Sequence, residues 1–292
     1  MWQKLISRKG GYAMKRIVPI FICMSLVLTV CSVQANYMDK TTGIGQYRII
    51  YKNPSPASCE VFILGVGTSM SRADYDNLGN AIANTYGYVV VVMDHNPGNM
   101  VKTDATKYRN CTMEVQSNIL TWMAGTGCTS VAHWILGGHS AGGQAAQNAV
   151  SADSSLADGM FSIDPYNIEG AGHVDGPAIY WGFNVTTCFV EKSDAAEAAY
   201  YYTDGPRAFY RVKKVYSWGP CGYSPKFFHC SFCDGHCPAC TNCMTTPSYF
   251  FTDIAKSVNK FITAAFYGTW TKANLTISST TPLDLFVDSD AP

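Results

Sequence analysis

The chain has no excess of either charge sign, and this excludes the functions that depend on one. Its 292 residues carry 21 Lys and Arg residues against 21 Asp and Glu residues, a formal net charge of zero. Proteins that bind nucleic acid or anionic membrane surfaces usually present a basic excess. The balance therefore argues against nucleic acid and against a charged membrane surface as partners, and it says nothing about a substrate.

The sequence also lacks internal repeats, low-complexity segments and any break in composition. Its length is sufficient for one large domain with a buried core, so a single domain is the simplest organisation. Apart from one run near the N-terminus, no stretch is long and apolar enough to cross a bilayer. We therefore expect no stable membrane span, and the sequence leaves the oligomeric state open.

The N-terminal 35 residues resemble a secretory signal peptide. Lys15 and Arg16 precede an apolar run over 17–30, and small residues follow at Val33 and Ala35. The run is short for a membrane span, and this order of basic, apolar and small residues is typical of a cleaved signal. We predict a signal peptide over 1–35 and a protein that is secreted or resides in the secretory-pathway lumen. An uncleaved membrane anchor is the rival interpretation.

The cysteines agree with export. Of twelve cysteines, Cys23 and Cys31 fall within the predicted signal peptide and ten remain. An even number in an exported protein favours disulfide bonds. Three N-x-S/T sequons predict a glycoprotein if the host is eukaryotic. The ten cysteines are Cys59, Cys111, Cys128, Cys188, Cys221, Cys230, Cys233, Cys237, Cys240 and Cys243, and the sequons begin at Asn110, Asn184 and Asn274.

The most informative stretch is V-A-H-W-I-L-G-G-H-S-A-G-G, residues 131–143. An apolar run ends abruptly in a G-x-S-x-G pattern centred on Ser140, and small residues of helical character follow. In this order of strand, sharp turn and helix, the serine is held exposed on a strained turn as a nucleophile. A serine hydroxyl is a poor nucleophile until a histidine removes its proton, so a histidine and an orienting acid are required elsewhere. A plain glycine-rich turn is the alternative.

Buried strands alternate with amphipathic helices along the chain. Residues 61–64 and 88–93 are continuously apolar, and helical stripes lie between and after them. Such strands separated by helices are typical of a mostly parallel central sheet with helices on both faces. We therefore predict an α/β domain over 36–270. The tail over 271–292 is expected to be loose, and 169–182 is a candidate rim of the substrate site.

Several strand ends carry candidate site residues. The first buried strand runs into the glycine-rich loop 65–69, which would turn backbone N–H groups towards a site. Carboxylates follow two later predicted strands, at Asp164 and at Asp194. Two histidines, His229 and His236, lie beyond the last predicted strand. The carboxyl ends of parallel strands meet at one sheet edge, so these groups can converge on Ser140.

With this order of glycine loop, serine turn, strand-end acid and late histidine, the chain resembles the α/β-hydrolase fold over residues 46 to about 267. Within that fold, G-H-S-A-G-G at 138–143 and S-I-D-P at 162–165 look like the branch of chlorophyllases, platelet-activating-factor acetylhydrolases and polyester hydrolases. Those families are esterases and lipases without a metal or organic cofactor. The resemblance implies that Ser140 is the nucleophile and that the N–H groups of Ala141 and Thr68 form the oxyanion hole.

The resemblance leaves two candidates each for the acid and the base. In chlorophyllases and acetylhydrolases the acid ends the strand directly after the helix that follows the serine, which corresponds to Asp164. In polyester hydrolases it follows the next strand, which corresponds to Asp194. We favour Asp164 as the acid. We favour His229 over His236 as the base, because an aspartate follows it within a few residues, as is frequent in the branch.

The cysteine-rich loop over 221–243 has a rival interpretation. Its C-x2-C-x3-C-x2-C-x2-C pattern with two histidines resembles a metal site. Zinc ribbons and fingers, however, separate their ligand pairs by about a dozen or more residues. We favour disulfides that stiffen a long loop carrying the catalytic histidine. No metal and no cofactor are therefore predicted.

Together these features predict a secreted serine ester hydrolase of the carboxylesterase or lipase kind. It would act on a small-molecule or lipid ester through a Ser-His-Asp triad and an acyl-enzyme. Peptidase or thioesterase chemistry uses the same triad and stays open. The alternative from another class is a non-catalytic secreted binding protein on the same scaffold.

Overall fold

A nine-stranded β-sheet forms the centre of the fold. The computed structural model describes residues 35–167, 172–183, 195–213, 215–219, 222–225, 227, 229–232 and 246–288. The strands are β1 (Asn36–Thr41), β2 (Gln46–Tyr51), β3 (Ser58–Gly65), β4 (Val89–Asp94), β5 (Ser130–His139), β6 (Gly159–Ile163), β7 (Ala178–Phe183), β8 (Arg207–Val212), β9 (Tyr216–Gly219), β10 (Gly222–Pro225) and β11 (Leu283–Asp288). The helices are α1 (Asp76–Tyr86), α2 (Ala105–Trp122), α3 (Ala141–Ala152), α4 (Ala195–Tyr201), α5 (Ser248–Ile262) and α6 (Lys272–Leu275).

The sheet is mostly parallel. Its order is β1-β2-β4-β3-β5-β6-β7-β8-β11, and every neighbouring pair from β4 to β8 is parallel. The strands β1, β2 and β11 pair in the antiparallel sense at the two edges. A separate hairpin of β9 and β10 follows β8. The predicted α/β class with a mostly parallel central sheet is therefore confirmed.

Helices cover both faces of the sheet, which explains the continuously apolar strands. All residues of β4 from Val89 to Met93 are buried. Val90 and Val92 belong to the apolar cluster formed with α1 and α5, whereas Val89 and Val91 belong to the cluster formed with α2 and α3. Successive side chains of a strand point to opposite faces, so a strand is apolar at every position only when both faces are buried.

The expectation of a loose tail does not hold for the described part of it. Residues 272–275 form α6, and β11 pairs with β8 along its whole length. At the end of the pairing, the Arg207 guanidinium lies 2.6 Å from the Asp288 carboxylate. A short edge strand gains its stability from the strand it pairs with, and that partner is distant in sequence. The local pattern therefore gave no sign of β11.

The expected substrate rim over 169–182 is also corrected. Its residues 169–171 lie outside the described residues, and β7 occupies 178–183 with Tyr180 and Trp181 fully buried. Trp181 stacks on Tyr210 with the ring centroids 5.2 Å apart. These aromatic side chains are part of the core because β7 is an interior strand with both faces covered.

A disulfide joins Cys59 to Cys128 across a sequence separation of 69 residues. It ties the start of β3 to the loop before β5, and a cross-link of this span typically stabilises a fold by about 4 kcal/mol. Cys111, which the even count placed among the disulfide cysteines, is instead a buried free thiol on α2. Burial raises the pKa of this thiol to about 11. Among the described cysteines, the disulfide expectation is thus confirmed for Cys59, Cys128 and Cys230 and wrong for Cys111.

No helix among the described residues combines the length and the apolarity that a bilayer crossing requires. Asn110 and Asn274, the first residues of two sequons, are exposed. Asn184 and nearly all of the predicted signal peptide lie outside the described residues.

Candidate active site

Three neighbouring parallel strands end at one edge of the sheet. The strands β3, β5 and β6 lie side by side, with Gly65 opposite Gly138 and His139 opposite Ile163. The strand β4 lies on the other side of β3 from β5, so successive connections run in opposite directions from β3. Such a reversal leaves a crevice at the carboxyl ends of the strands, where α/β proteins bind ligands.

Ser140 occupies a strained turn between β5 and α3. Its φ of 54° and ψ of −122° lie outside the regions that a non-glycine residue prefers. Two backbone hydrogen bonds hold the turn, from Ser140 N–H to Ile163 O at 3.1 Å and from Tyr166 N–H to Ser140 O at 2.9 Å. The serine thus stands at the N-terminus of α3, where the helix dipole favours developing negative charge.

Glycines allow this turn to pack against the neighbouring strand. An ideal Cβ atom on Gly142 would lie 2.3 Å from Gly65 O, and one on Gly138 would lie 2.6 Å from the same oxygen. Real Cβ atoms do not approach other atoms that closely. The flanking positions of the G-x-S-x-G pattern are therefore glycine because β3 lies directly against the turn.

Asp164 and His229 form a buried hydrogen-bonded pair. Asp164 directly follows β6, and its Oδ2 lies 2.6 Å from Nδ1 of His229. The two side chains are 8% and 10% exposed. Because an ionised carboxylate only accepts hydrogen bonds, His229 carries a proton on Nδ1. In the neutral ring this leaves Nε2 able to take a proton from a hydroxyl.

The structure therefore brings together the favoured acid and the favoured base. The alternative acid, Asp194, and the alternative base, His236, lie outside the described residues.

His229 begins a short 3-10 turn over His229–Phe232 that is anchored on both sides. Cys230 is disulfide-bonded, in line with the predicted stiffening of this loop. Phe232 packs on Phe183 and Phe250 with ring centroids 4.9 and 5.2 Å apart. Such anchoring suits a base on a loop, because small displacements of a catalytic group cost large factors in rate.

Ser140 neighbours the histidine without a direct bond. The ring of His139, the residue before Ser140, has its centroid 4.5 Å from that of His229. Among the described residues, no hydrogen bond joins the Ser140 hydroxyl to the His229 ring. Hydrogen bonds between nucleophile and base are often loose without substrate. The predicted acid and the predicted base are thus hydrogen-bonded to each other, whereas no hydrogen bond joins the predicted base to Ser140 among the described residues.

The loop after β3 leaves one backbone N–H unpaired close to Ser140. An ideal Cβ atom on Gly67 would lie 3.3 Å from Ser140 Cβ, so the loop runs against the serine turn. Within the described chain, the Thr68 N–H has no acceptor, and the Ala141 N–H, first in α3, has none within the helix. These are the two predicted oxyanion donors. The other N–H groups of the loop, those of Val66, Gly67, Ser69 and Met70, bond to Met93 O, Tyr75 Oη, Met100 O and Gly67 O.

A chain of hydrogen bonds connects the loop after β3 to the backbone of His229. The distances are 2.8 Å from Gly67 N to Tyr75 Oη, 2.9 Å from Tyr75 Oη to His139 Nδ1, and 3.1 Å from His139 Nε2 to His229 O. Burial and the neighbouring His229 hold the pKa of His139 well below its ordinary value. His139 is therefore neutral near pH 7.

Sequence reasoning did not find this chain. Neither Tyr75 nor His139 stands out as a site residue in the sequence, although His139 lies within the G-x-S-x-G pattern. Tyr75 ends the 3-10 turn Arg72–Tyr75, just before α1. No local signal shows that the two side chains meet, because their contact depends on how the loop after β3 folds over the end of β5.

The remaining histidines have partners of their own. Among the described residues, none of them bonds to Ser140, Asp164 or His229, and no cluster of three or more His, Cys, Asp or Glu side chains is placed to hold a metal ion. The cysteine-rich loop beyond Phe232 lies outside the described residues. The pairs are His95 with Lys102 O at 2.7 Å, His133 with Glu60 at 2.9 Å, and His173 with Asp204 at 2.8 Å.

No family model matches the chain, and no curated protein sequence matches it at a significant level. The interpretation of the site therefore rests on its geometry and on the sequence patterns.

Proposed function

We propose that this chain is a serine ester hydrolase of the α/β-hydrolase fold, acting through Ser140, His229 and Asp164. One observation carries the proposal: the buried 2.6 Å hydrogen bond between Asp164 and His229, at the sheet edge where the strained Ser140 turn lies. Strained backbone and buried ionisable pairs both oppose folding, and they concentrate at functional sites. A binding protein on this scaffold would need neither.

The first half of the reaction forms an acyl-enzyme. Ser140 Oγ attacks the ester carbonyl carbon while His229 Nε2 takes the hydroxyl proton. The N–H groups of Thr68 and Ala141 stabilise the oxyanion of the tetrahedral intermediate, and each such donor is typically worth about 3 kcal/mol of barrier. The C–O bond to the alcohol then breaks, and His229 returns the proton to the departing alcohol.

The second half releases the acid. A water molecule gives its proton to His229 Nε2 and attacks the acyl carbon, and the bond to Ser140 Oγ breaks as that oxygen regains the proton. Throughout, Asp164 holds Nδ1–H of His229 and stabilises the imidazolium that forms in each step. The reaction consumes one water and yields one carboxylic acid and one alcohol.

Exposed apolar residues on the segments that are hydrogen-bonded to the serine turn and to the oxyanion loop support an apolar ester as the substrate. Tyr166, whose N–H bonds to Ser140 O, is 43% exposed. Met100, whose carbonyl accepts from Ser69 N–H in the oxyanion loop, is 69% exposed, and its neighbour Val101 is 54% exposed. Exposed apolar groups that cluster around a site mark ligand or interface contacts. An acyl chain or an apolar alcohol group fits this surrounding better than a charged one.

Export is part of the proposal. The signal-like N-terminus supports it, and so does the Cys59–Cys128 disulfide, because such bonds persist in oxidising compartments. The enzyme would then meet its ester outside the cell or in the secretory lumen.

A fluorophosphonate probe tests the mechanism directly, because it labels an activated serine and ignores an inert one. We expect the wild-type protein to be labelled at Ser140, located by mass spectrometry of the digested protein. We expect Ser140→Ala to lose both labelling and ester turnover with its fold intact, and His229→Ala to lose labelling as well. His236→Ala should keep it.

A matched control is available in the exposed pair of His173 and Asp204, whose 2.8 Å contact resembles that of the proposed base and acid. His173→Ala should be labelled at the wild-type rate. Absence of labelling in folded, disulfide-intact wild-type protein would overturn the enzyme proposal and favour the binding-scaffold interpretation.

A further inference from the structure

The hydrogen-bond chain through Tyr75 and His139 has a fixed direction. His139 Nε2 faces the carbonyl oxygen of His229, which only accepts, so Nε2 carries the proton of the neutral ring. His139 Nδ1 then accepts from the Tyr75 hydroxyl, and the Tyr75 oxygen accepts from Gly67 N–H. Each donor in this series of hydrogen bonds thus has one acceptor, and the Tyr75 hydroxyl donates to the His139 ring.

Both linking side chains are nearly excluded from solvent. Tyr75 and His139 are each 2% exposed. Water therefore cannot replace a bond that is lost, and an unpaired buried polar group destabilises the fold. The chain is consequently stiff, since each link opens only with that loss of stability.

The two ends of the chain are two separate parts of the proposed machinery. At one end, Gly67 N–H precedes the predicted oxyanion donor Thr68. At the other end, the bonded carbonyl belongs to the backbone of His229 itself. Between them lies His139, which is covalently adjacent to Ser140. The proposed base, His229, lies on a loop far along the polypeptide. The hydrogen-bond chain fastens that loop to the serine turn.

We propose that Tyr75 and His139 are positioning residues that hold the base His229 and the oxyanion loop in register with Ser140. They touch no reacting atom and act through the residues they bond. The inference rests on the proposed function for its kinetic consequences. The hydrogen-bond geometry that it describes does not depend on that function.

Substitutions at position 139 that keep or remove its hydrogen bonds distinguish a positioning role from simple packing. Phe at position 139 keeps a ring of similar shape and removes both bonds, whereas Gln keeps an N–H donor and an acceptor oxygen. If His139 only fills space, Phe is the better replacement. If it positions His229, Gln is the better replacement.

The kinetic test compares these variants. We expect His139→Phe to lower kcat by about 10- to 100-fold with KM nearly unchanged, because a misplaced base slows the chemical step. We expect His139→Gln to restore kcat to within about fivefold of wild type. Tyr75→Phe should resemble His139→Phe, and the double variant should lose far less than the product of the single losses, because both remove the same chain.

Tyr180→Phe is a matched control. Tyr180 is also fully buried and bonds to Gln147 and Thr203 on the other face of the sheet. This variant should lower the melting temperature by a few degrees and leave kcat at the wild-type value.

A second measurement does not need activity. The proton on His229 Nδ1, held 2.6 Å from Asp164, should give a far-downfield proton NMR signal. We expect this signal in the wild type, His139→Gln and Tyr180→Phe, and expect it to broaden or vanish in His139→Phe and Tyr75→Phe.

An unchanged signal and unchanged kcat in His139→Phe would overturn the positioning role, as would losses that multiply in the double variant. If the wild type fails to react with the fluorophosphonate, the proposed function falls, and the NMR comparison still decides whether Tyr75 and His139 hold His229.

Discussion

Two of the four described non-glycine residues with positive φ are the strand-end residues of the proposed triad. Ser140 and Asp164 both have positive φ, 54° and 40°, although neither is glycine. Residues held in such conformations typically cost about 1–3 kcal/mol each. Backbone bonds on neighbouring strands hold both: Ser140 N–H bonds to Ile163 O, and Asp164 N–H bonds to Trp181 O at 2.7 Å. The sheet thus fixes the direction in which the hydroxyl and the carboxylate point.

Asp164→Asn should distinguish the contribution of the Asp164 charge, and of the His229 tautomer that it selects, from the contribution of side-chain shape. The amide has the size of the carboxylate, but its NH2 group can favour the wrong His229 tautomer, and its neutral oxygen cannot stabilise an imidazolium. We expect kcat to fall about 10³- to 10⁴-fold in a standard ester assay, with the melting temperature changed by only a few degrees.

The corresponding substitution in the exposed histidine–aspartate pair, Asp204→Asn, is the control and should leave kcat unchanged. A loss of less than tenfold in Asp164→Asn would assign the acid to another residue, with Asp194 the first to test by the same substitution.

At the level of elements, the contact between β3 and the start of α3 decides where Ser140 stands. Gly142 lies on the first turn of α3 and faces Gly65 at the end of β3. The same approach brings the oxyanion loop, which continues from β3, against the serine turn. One contact between glycines therefore sets the distance between Ser140, the proposed nucleophile, and the proposed oxyanion donors.

Gly142→Ala should break that contact. The added Cβ would lie 2.3 Å from Gly65 O and 2.4 Å from Gly65 C, and backbone atoms on an interior strand cannot move aside freely. We expect a loss of about 3 kcal/mol in the free energy of unfolding, or roughly 10 °C in Tm by calorimetry.

Gly43→Ala serves as the comparison, since nothing lies within 4 Å of its added Cβ. Its melting temperature should stay within a degree or two of wild type. Equal stabilities for Gly142→Ala and wild type would show that α3 does not pack on β3 as described.

At the scale of the whole molecule, one buried carboxylate fastens the C-terminal segment to the body of the fold. Asp253 on α5 is fully buried, and its Oδ2 accepts from Thr281 N–H at 2.8 Å, Thr280 N–H at 3.0 Å and Ser279 Oγ at 2.9 Å. Lys256 pairs with its Oδ1 at 2.9 Å. The segment held in this way leads directly into β11, so Asp253 connects the helical layer to the sheet edge.

Asp253→Asn should destabilise the protein in a pH-dependent way. Burial alone would raise the pKa of Asp253, but the hydrogen bonds from Thr281, Lys256 and Ser279 outweigh it and hold the pKa below its ordinary value of 3.8. A carboxylate with a lowered pKa contributes stability above its unfolded-state pKa, and this contribution is lost as pH falls through the folded-state pKa. We expect the variant to be less stable by about 2 kcal/mol at pH 7, and the difference to shrink below about pH 3.8.

Thermal unfolding of both proteins between pH 7 and pH 3 measures this convergence. Asp284→Asn, which removes a half-exposed carboxylate paired with Lys213 near the same edge, is the control and should change stability by less than about 1 kcal/mol. If the difference in stability between Asp253→Asn and wild type were the same at every pH, the ionised carboxylate of Asp253 would not be the source of the stabilisation.

The sequence alone determined the features that depend on short, continuous stretches of residues. The continuous apolar runs predicted the parallel strands, because only a strand buried on both faces has no polar positions. The G-x-S-x-G pattern after an apolar run predicted the turn at Ser140, because its glycines report a close approach of backbone. The resemblance to α/β-hydrolases implied an acid at a strand end and a histidine on a late loop, and it left Asp164 or Asp194 and His229 or His236 as the candidates.

The tertiary structure decided what depends on contacts between distant residues. It placed Asp164 against His229, made an edge strand of a tail that looked loose, buried Tyr180 and Trp181 in β7, left Cys111 as a free thiol, and joined Tyr75 to His139. In each case the deciding partner is far away in the chain. Local pattern encodes which face of an element is apolar, whereas pairing at a sheet edge and hydrogen bonding between loops depend on three-dimensional proximity, which no single stretch of sequence contains.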